Sequence, residues 1–349
     1  MIKTAFGSPV TSRTWAKTWE GLSASQPVLY ICLVLVAALM GYAYELRTRG
    51  IFACQADGYT ADRYLAYCNG VNYADYEHGA FYFDLEPSVQ HFVREADVLF
   101  LGNSRLQIAL STAATADWFA AASARYYLMG FLYFENELFA EKLLRRFRPR
   151  AAVYVINVDD FFDRSESPPV KTILHDATAR YRYQAKGLWQ RVHESICKAV
   201  SALCGDQYAI FRSRVTGAYY REGVLPQQTI TPVSYDWSVD RDLVMHNSAN
   251  AMDFLSHFAQ GKCVILTMAP LVGAKIGDAK AIAARLGMKL VTPGILEGLQ
   301  TFDGYHLDRA SAQRWSQAFF QAAGPTIRSC LKERGIPHPV GSSLSATPR

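Results

Sequence analysis

The 349-residue sequence contains no C-x-x-C pair, so the usual ligand spacing of a structural zinc is missing. It has no dense Lys/Arg block either. A net charge of +5 is modest for this length and reads as a solvated surface, so no nucleic-acid partner is expected. His91, His175, His193, His246, His257 and His338 show no metal-ligand spacing. Glu77-His78 has titratable character but no evident partner, and Asp159-Asp160, adjacent at a strand end, should point in different directions. No metal and no cofactor is expected. Charge is sparse at 19% of residues against 50% hydrophobic, which leaves apolar surface for a sizeable core.

What is present begins with a charge-free run. Residues 21–44 carry no Asp, Glu, Lys or Arg, and Val28 to Met40 is almost wholly aliphatic. A helix needs about 20 apolar residues to cross the hydrocarbon of a bilayer, and this run meets that length. Tyr30, Tyr42 and Tyr44 sit near its ends, where amphipathic rings favour the interface. A transmembrane helix is expected, in preference to a buried core helix or a cleaved signal peptide. Basic residues flank both ends almost equally: Lys3, Arg13 and Lys17 before it, Arg47, Arg49 and Arg63 after. Cysteine usage tips the orientation. Cys32 lies in the run, whereas Cys54 and Cys68, and Cys197 and Cys204, form close pairs that suit disulfides in an oxidising compartment. Free thiols of a cytosolic protein are the competing reading. The expected topology is N-terminus inside, main domain outside.

The pattern divides the chain into a cytoplasmic arm (1–20), the membrane helix (21–44), a Tyr-rich juxtamembrane region (45–95), an α/β domain (96–334) interrupted by an insertion at about 160–245, and a disordered Pro/Ser-rich tail (335–349). Tyr59, Tyr64, Tyr67, Tyr73, Tyr76 and Tyr82 of the juxtamembrane region offer either sugar-stacking rings or, as the better reading, packing against the domain. From residue 96 short apolar runs alternate with helical stretches: strands at Ala96–Leu101, Arg125–Leu128, Ala151–Ile156, Cys263–Met268 and Lys289–Val291. Helices are expected at Arg105–Ala122 with a break near Ser111–Thr112, and at Phe134–Phe147, Ala249–Gln260, Asp278–Leu286 and Arg309–Arg334. Alternation of this kind predicts a mainly parallel sheet covered on both faces, with sites at the C-terminal ends of the strands.

Two of those ends carry chemistry. In Gly102-Asn103-Ser104-Arg105 a serine falls just past a strand and just before a helix, whose N-terminal N–H groups suit a developing oxyanion. Taken alone, Ser104 would be a helix N-cap. In Asp303-Gly304-Tyr305-His306-Leu307 a histidine can act as general base, with a carboxylate three residues earlier to orient it. Together the motifs bracket one α/β pattern. Arg105, beside the serine, could hold an anionic substrate group or be a helix-surface arginine.

The order of these blocks resembles the SGNH/GDSL hydrolase superfamily, over roughly residues 96–325 without the insertion: G-N-S-R after the first strand, a glycine after the second, an asparagine after the third, D-x-x-H before the last helix. The first block here reads G-N-S-R rather than G-D-S-L, and the third, Ile156-Asn157-Val158-Asp159-Asp160, lacks G-x-N-D. The resemblance implies a three-layer α/β/α fold of flavodoxin-like type. It implies Ser104 as nucleophile with His306 and Asp303, and an oxyanion hole completed by Gly130 and Asn157, with Asp159 the alternative to Asn157. The layout is most similar to the membrane-anchored acyltransferase branch, which includes the D-alanine transfer proteins of lipoteichoic acid synthesis and the alginate O-acetyltransferases. That implies acyl transfer to an envelope or secreted polysaccharide from a single-pass protein of the inner membrane, on the periplasmic or extracellular side, often beside a multi-spanning MBOAT-type acyltransferase. An esterase or deacetylase would use the same triad, and a tethered non-catalytic scaffold would keep only the fold.

Overall fold

The computed structural model describes residues 13–68, 76–225 and 229–334. The start of the expected N-terminal arm, Tyr73, His338 and the expected disordered tail lie outside the described residues.

The first described element is a 37-residue helix, α1 (Arg13–Arg49), which contains Pro27 and extends beyond the apolar run at both ends. Its segment Gln26–Arg49 is long and apolar enough to cross a membrane, with a mean hydropathy of 2.0 and none of it buried. There follow β1 (Arg63–Cys68), α2 (Tyr76–Phe83), α3 (Val89–Glu95), β2 (Val98–Asn103), α4 (Ser104–Leu110), α5 (Ala113–Ala122), β3 (Tyr126–Phe131), α6 (Glu137–Phe147) and β4 (Val153–Asn157). Next come α7 (Pro168–His175), α8 (Ala179–Ala199), β5 (Ala209–Ser213), β6 (Tyr219–Glu222), and two-residue strands β7 (Thr231–Pro232) and β8 (Tyr235–Asp236). The chain closes with α9 (Arg241–Phe258), β9 (Cys263–Thr267), β10 (Ala274–Lys275), α10 (Ile276–Arg285), β11 (Gln300–Thr301) and α11 (Arg309–Glu333).

The fold is mixed α/β around a parallel sheet of order β3-β2-β4-β9. Its strands are apolar runs of period two, and the period sorts their side chains. Leu99, Leu101, Met129, Ile156 and Leu266 enter one apolar cluster with residues of α6, α9 and α10. Val98, Phe100, Leu128, Val155 and Ile265 enter another with residues of α4, α5 and α11. The expected break near Ser111–Thr112 separates α4 from α5, where Thr112 caps α5 through its side chain. The expected strand at Lys289–Val291 is reduced to one bridge, Leu266 to Leu290. The expected strand at Arg125–Leu128 runs on through Gly130 to Phe131, because its pairing with β2 continues through Gly102 and Asn103.

The insertion and the juxtamembrane region are one unit. β1 of the latter pairs antiparallel with β5 of the former, and β5 with β6. A buried charge joins this sheet to the parallel one. Arg212 on β5 donates to Glu77 on α2 at 2.8 Å and to the Leu128 carbonyl on β3 at 2.7 Å. Tyr219 donates to the same carboxylate at 2.6 Å, and the guanidinium lies over the rings of Phe81 and Phe131. Burying such a charge is tolerable only with this degree of pairing. Tyr59, Tyr64 and Tyr76 are buried here, so packing, not sugar stacking, is their role. Cys54–Cys68 and Cys197–Cys204 are disulfides; a third, Cys263–Cys330, ties β9 to α11 across 67 residues.

Candidate active site

Ser104 opens α4 directly off the end of β2. Asn103 makes the turn by accepting the Arg105 N–H on its side-chain oxygen at 3.0 Å. As the first residue of the helix, Ser104 has no intrahelical acceptor for its own N–H. The second arm is the loop before α11. Asp303 accepts the N–H groups of Tyr305 at 2.9 Å and His306 at 2.8 Å through Oδ1, and Gly304 takes the positive φ of 86° that this turn needs. Phe302 N–H donates back to the His306 carbonyl, and the Phe302 ring stacks on the imidazole at 5.7 Å.

The two arms meet. His306 Nδ1 lies 2.6 Å from Asp303 Oδ2, and His306 Nε2 lies 2.8 Å from Ser104 Oγ. A carboxylate can only accept, so Nδ1 carries the proton and Nε2 is left to accept from the serine hydroxyl. Ser104, His306 and Asp303, 202 residues apart at the extremes of the contact, thus form one hydrogen-bonded chain in the order nucleophile, base, orienter. Burial works to raise the Asp303 carboxyl, but the hydrogen bond and charge of His306 and the two backbone donors outweigh it and hold the group below its ordinary range.

The other expected site residues fare differently. Gly130 is not free to donate to an oxyanion, because its N–H is taken by Gln107 Oε1 at 3.0 Å. Its requirement is steric: a Cβ there would sit 2.6 Å from the Asn103 carbonyl oxygen. Asn157 is fully buried beside Gly102, and its Oδ1 accepts the Ala269 N–H at 2.9 Å. Its Nδ2 has no protein partner, a buried donor in need of an acceptor. Asp159 is committed elsewhere, accepting from Asn103 Nδ2 at 3.0 Å and pairing with Arg105 at 2.7 Å.

Arg105 is likewise not an open anion receptor. Asp159 and Asp160 both converge on its guanidinium, the latter at 3.1 Å, and its face lies over Phe134 at 4.9 Å. The two acids do not diverge as adjacent strand residues would, because Asp159 has left the strand and caps a short turn, Asp160–Phe162. Burial opposes the Arg105 charge, yet the two carboxylates more than restore it. Asp160 pays in turn, its carboxyl raised by burial and by Asp159 despite the arginine. Sequence reasoning missed Gln107, which braces Gly130 and donates to the Gly217 carbonyl on the insertion; a lone amide in the apolar stretch Leu106–Leu110 just past the serine was the available signal. It missed Phe302 as well, and here the only signal was an aromatic beside the D-x-x-H block.

Among the described residues, the ligating atoms of His193, Cys197 and Cys204 lie within 4.8 Å of one another. The two sulfurs are bonded to each other and both imidazole nitrogens are engaged, by Tyr59 and the Cys54 carbonyl, so this cluster is a packing element. Comparison with known proteins leaves the site to be read from its own geometry: no family model matches the chain, and no curated protein or solved structure shows detectable similarity to it.

Proposed function

We propose that the chain is a serine-dependent O-acyltransferase of SGNH type, with a three-layer α/β/α domain held outside the inner membrane by a single N-terminal span. The observation that carries this reading is the hydrogen-bonded chain Ser104–His306–Asp303. In the first half-reaction His306 Nε2 takes the Ser104 Oγ proton as the oxygen attacks the donor carbonyl. The tetrahedral oxyanion is held by the Ser104 N–H and Asn157 Nδ2. Collapse expels the donor's leaving group with the proton from His306, leaving an acyl ester on Ser104. In the second half-reaction a sugar hydroxyl of an envelope or secreted polysaccharide gives its proton to Nε2 and attacks that ester. Ser104 recovers the proton as it leaves. A multi-spanning MBOAT-type acyltransferase is the proposed source of the acyl group.

The location rests on α1 and on the three disulfides, which suit an oxidising compartment. Hydrolysis is the second reading. It is favoured by the partial exposure of the Asp303 and His306 side chains, which lets water reach the base. The test uses the full chain in detergent with p-nitrophenyl acetate and, separately, acylated and unacylated glycans. Ester cleavage should vanish in Ser104→Ala and His306→Ala while the fold persists; cleavage that survives both removes the triad. Rapid hydrolysis with no glycan ever acylated selects the esterase.

A further inference from the structure

A surface helix normally turns its charged face outward. α8 also exposes its charged side chains, but leaves an apolar arc between them. Its inward face, with Tyr183, Gly187, Gln190, His193 and Cys197, packs on the core. The opposite arc carries Tyr181, Leu188 and Trp189, Val200 and Leu203 extend it past the helix end, and the exposed Arg182, paired with Asp176, stands at its edge near the N-terminal end. The apolar side chains are 44–74% exposed. Arg180, Arg191 and Lys198 line one flank of this arc, Lys198 paired with Glu194 at 2.7 Å. An exposed apolar stripe edged by basic side chains is the pattern of a helix lying in a membrane interface.

The C-terminal end of α8 is fixed where the apolar helix ends. Arg47, in the last turn of α1, donates to the Ala202 carbonyl in the turn after α8. Gly205 N–H donates to the Phe52 carbonyl at 2.7 Å, and His193 Nε2 lies 3.2 Å from the Cys54 carbonyl. The Cys197–Cys204 disulfide closes that turn on α8 itself. The apolar arc therefore begins within one turn of the point at which a span would leave the hydrocarbon.

We infer that this face of α8 lies on the lipid bilayer, with Leu188, Trp189, Val200 and Leu203 in the acyl–headgroup boundary and Arg180 and Arg191 at anionic headgroups. The inference rests on α1 being a membrane span. Its consequence is that the domain stands on two membrane contacts, α1 and α8, and does not swing on a single tether.

The test is made on the full chain in vesicles of phosphatidylcholine and phosphatidylglycerol. Cys32, the free cysteine among the described residues, is replaced by Ser. An environment-sensitive fluorophore is placed on Leu188→Cys, on Leu203→Cys and, for comparison, on Gln321→Cys at an exposed position of α11. Emission at 188 and 203 should shift to the blue and fall about two-fold with lipids carrying a quencher at roughly 5–10 Å depth, with no change at 321. Removing phosphatidylglycerol should weaken the quenching. If the protein floats with the vesicles but 188 and 203 stay as water-exposed as 321, the lipid contact is refuted and the span stands. Self-crosslinking through 188 without quenching assigns the face to a second copy and refutes the proposal equally. Failure to float refutes span and contact together.

Discussion

Gly130→Ala separates two roles that glycine could have at this site. The alanine retains the backbone N–H, so a residue needed only as a hydrogen-bond donor would tolerate the change. The geometry argues otherwise. The new Cβ would fall 2.6 Å from the Asn103 carbonyl oxygen, 2.8 Å from Gln107 Cβ and 3.0 Å from Gln107 Oε1. Gln107 can swing aside only by breaking its bonds to Gly130 N–H and the Gly217 carbonyl. The Asn103 carbonyl is backbone, one residue before Ser104, and belongs to the turn that aims the serine. Overpacking of this kind costs about 1–3 kcal/mol, or roughly 2–4 °C in Tm per kcal/mol for a domain of this size. The effect on chemistry should be larger than the effect on stability, because displacing a nucleophile by about 1 Å can cost around 10²-fold. Thermal unfolding and p-nitrophenyl acetate hydrolysis by the full chain, measured side by side, check both numbers. A Gly130→Ala protein with unchanged Tm and unchanged kcat would refute the steric account of this position.

Asn157→Ala should lower kcat by about 10²–10³, the usual loss for one oxyanion donor; a loss in kcat no greater than the loss in stability, with KM unmoved, would leave Asn157 only its bond to the Ala269 N–H. Replacing Cys263 and Cys330 together by Ser should destabilise by about 2–4 kcal/mol, since the bridge closes a long loop; equal Tm values for variant and parent under oxidising conditions would count against it. Burial lowers the His193 imidazole to about 4. Because the unfolded state then binds the extra proton first, this group costs stability as pH falls from about 6.5 to about 4, roughly 2–4 kcal/mol in all. His193→Gln should flatten that part of the stability–pH curve. Glu137, raised to about 8 by burial, acts with the opposite sign between its ordinary range and pH 8, so the informative quantity is variant minus parent, and parallel curves would sink the assignment.

Much of the site was legible because its elements are local. β2 is a short apolar run ended by Gly102, and the turn that caps α4 needs only Asn103. The Asp303–His306 turn is likewise closed by its own backbone bonds and by Gly304. Motif order and the parallel-sheet rule were then enough to bring Ser104 and His306 to the same end of the sheet. Gly130 and Arg105 were read less well for one common reason. Whether an N–H or a guanidinium is free depends on what lies across from it, and Gln107, Asp159 and Asp160 are brought there by packing and by a turn that departs from strand geometry.

The sequence by itself determined the apolar helix, the alternating α/β order and the two motifs, since each depends on periodicity or on residues a few positions apart. Spacing suggested the two short-range cysteine pairs but left free thiols as the alternative, and the structure bonds both pairs. Only the tertiary structure decided that the insertion and the juxtamembrane region share a sheet, that Cys263 bonds Cys330, and that an apolar arc of α8 is left exposed beside the end of α1. It also decided the serine chain itself. A distance of 2.8 Å between atoms 202 residues apart is set by the packing of α4 and α11 against a common sheet, and no local pattern contains it.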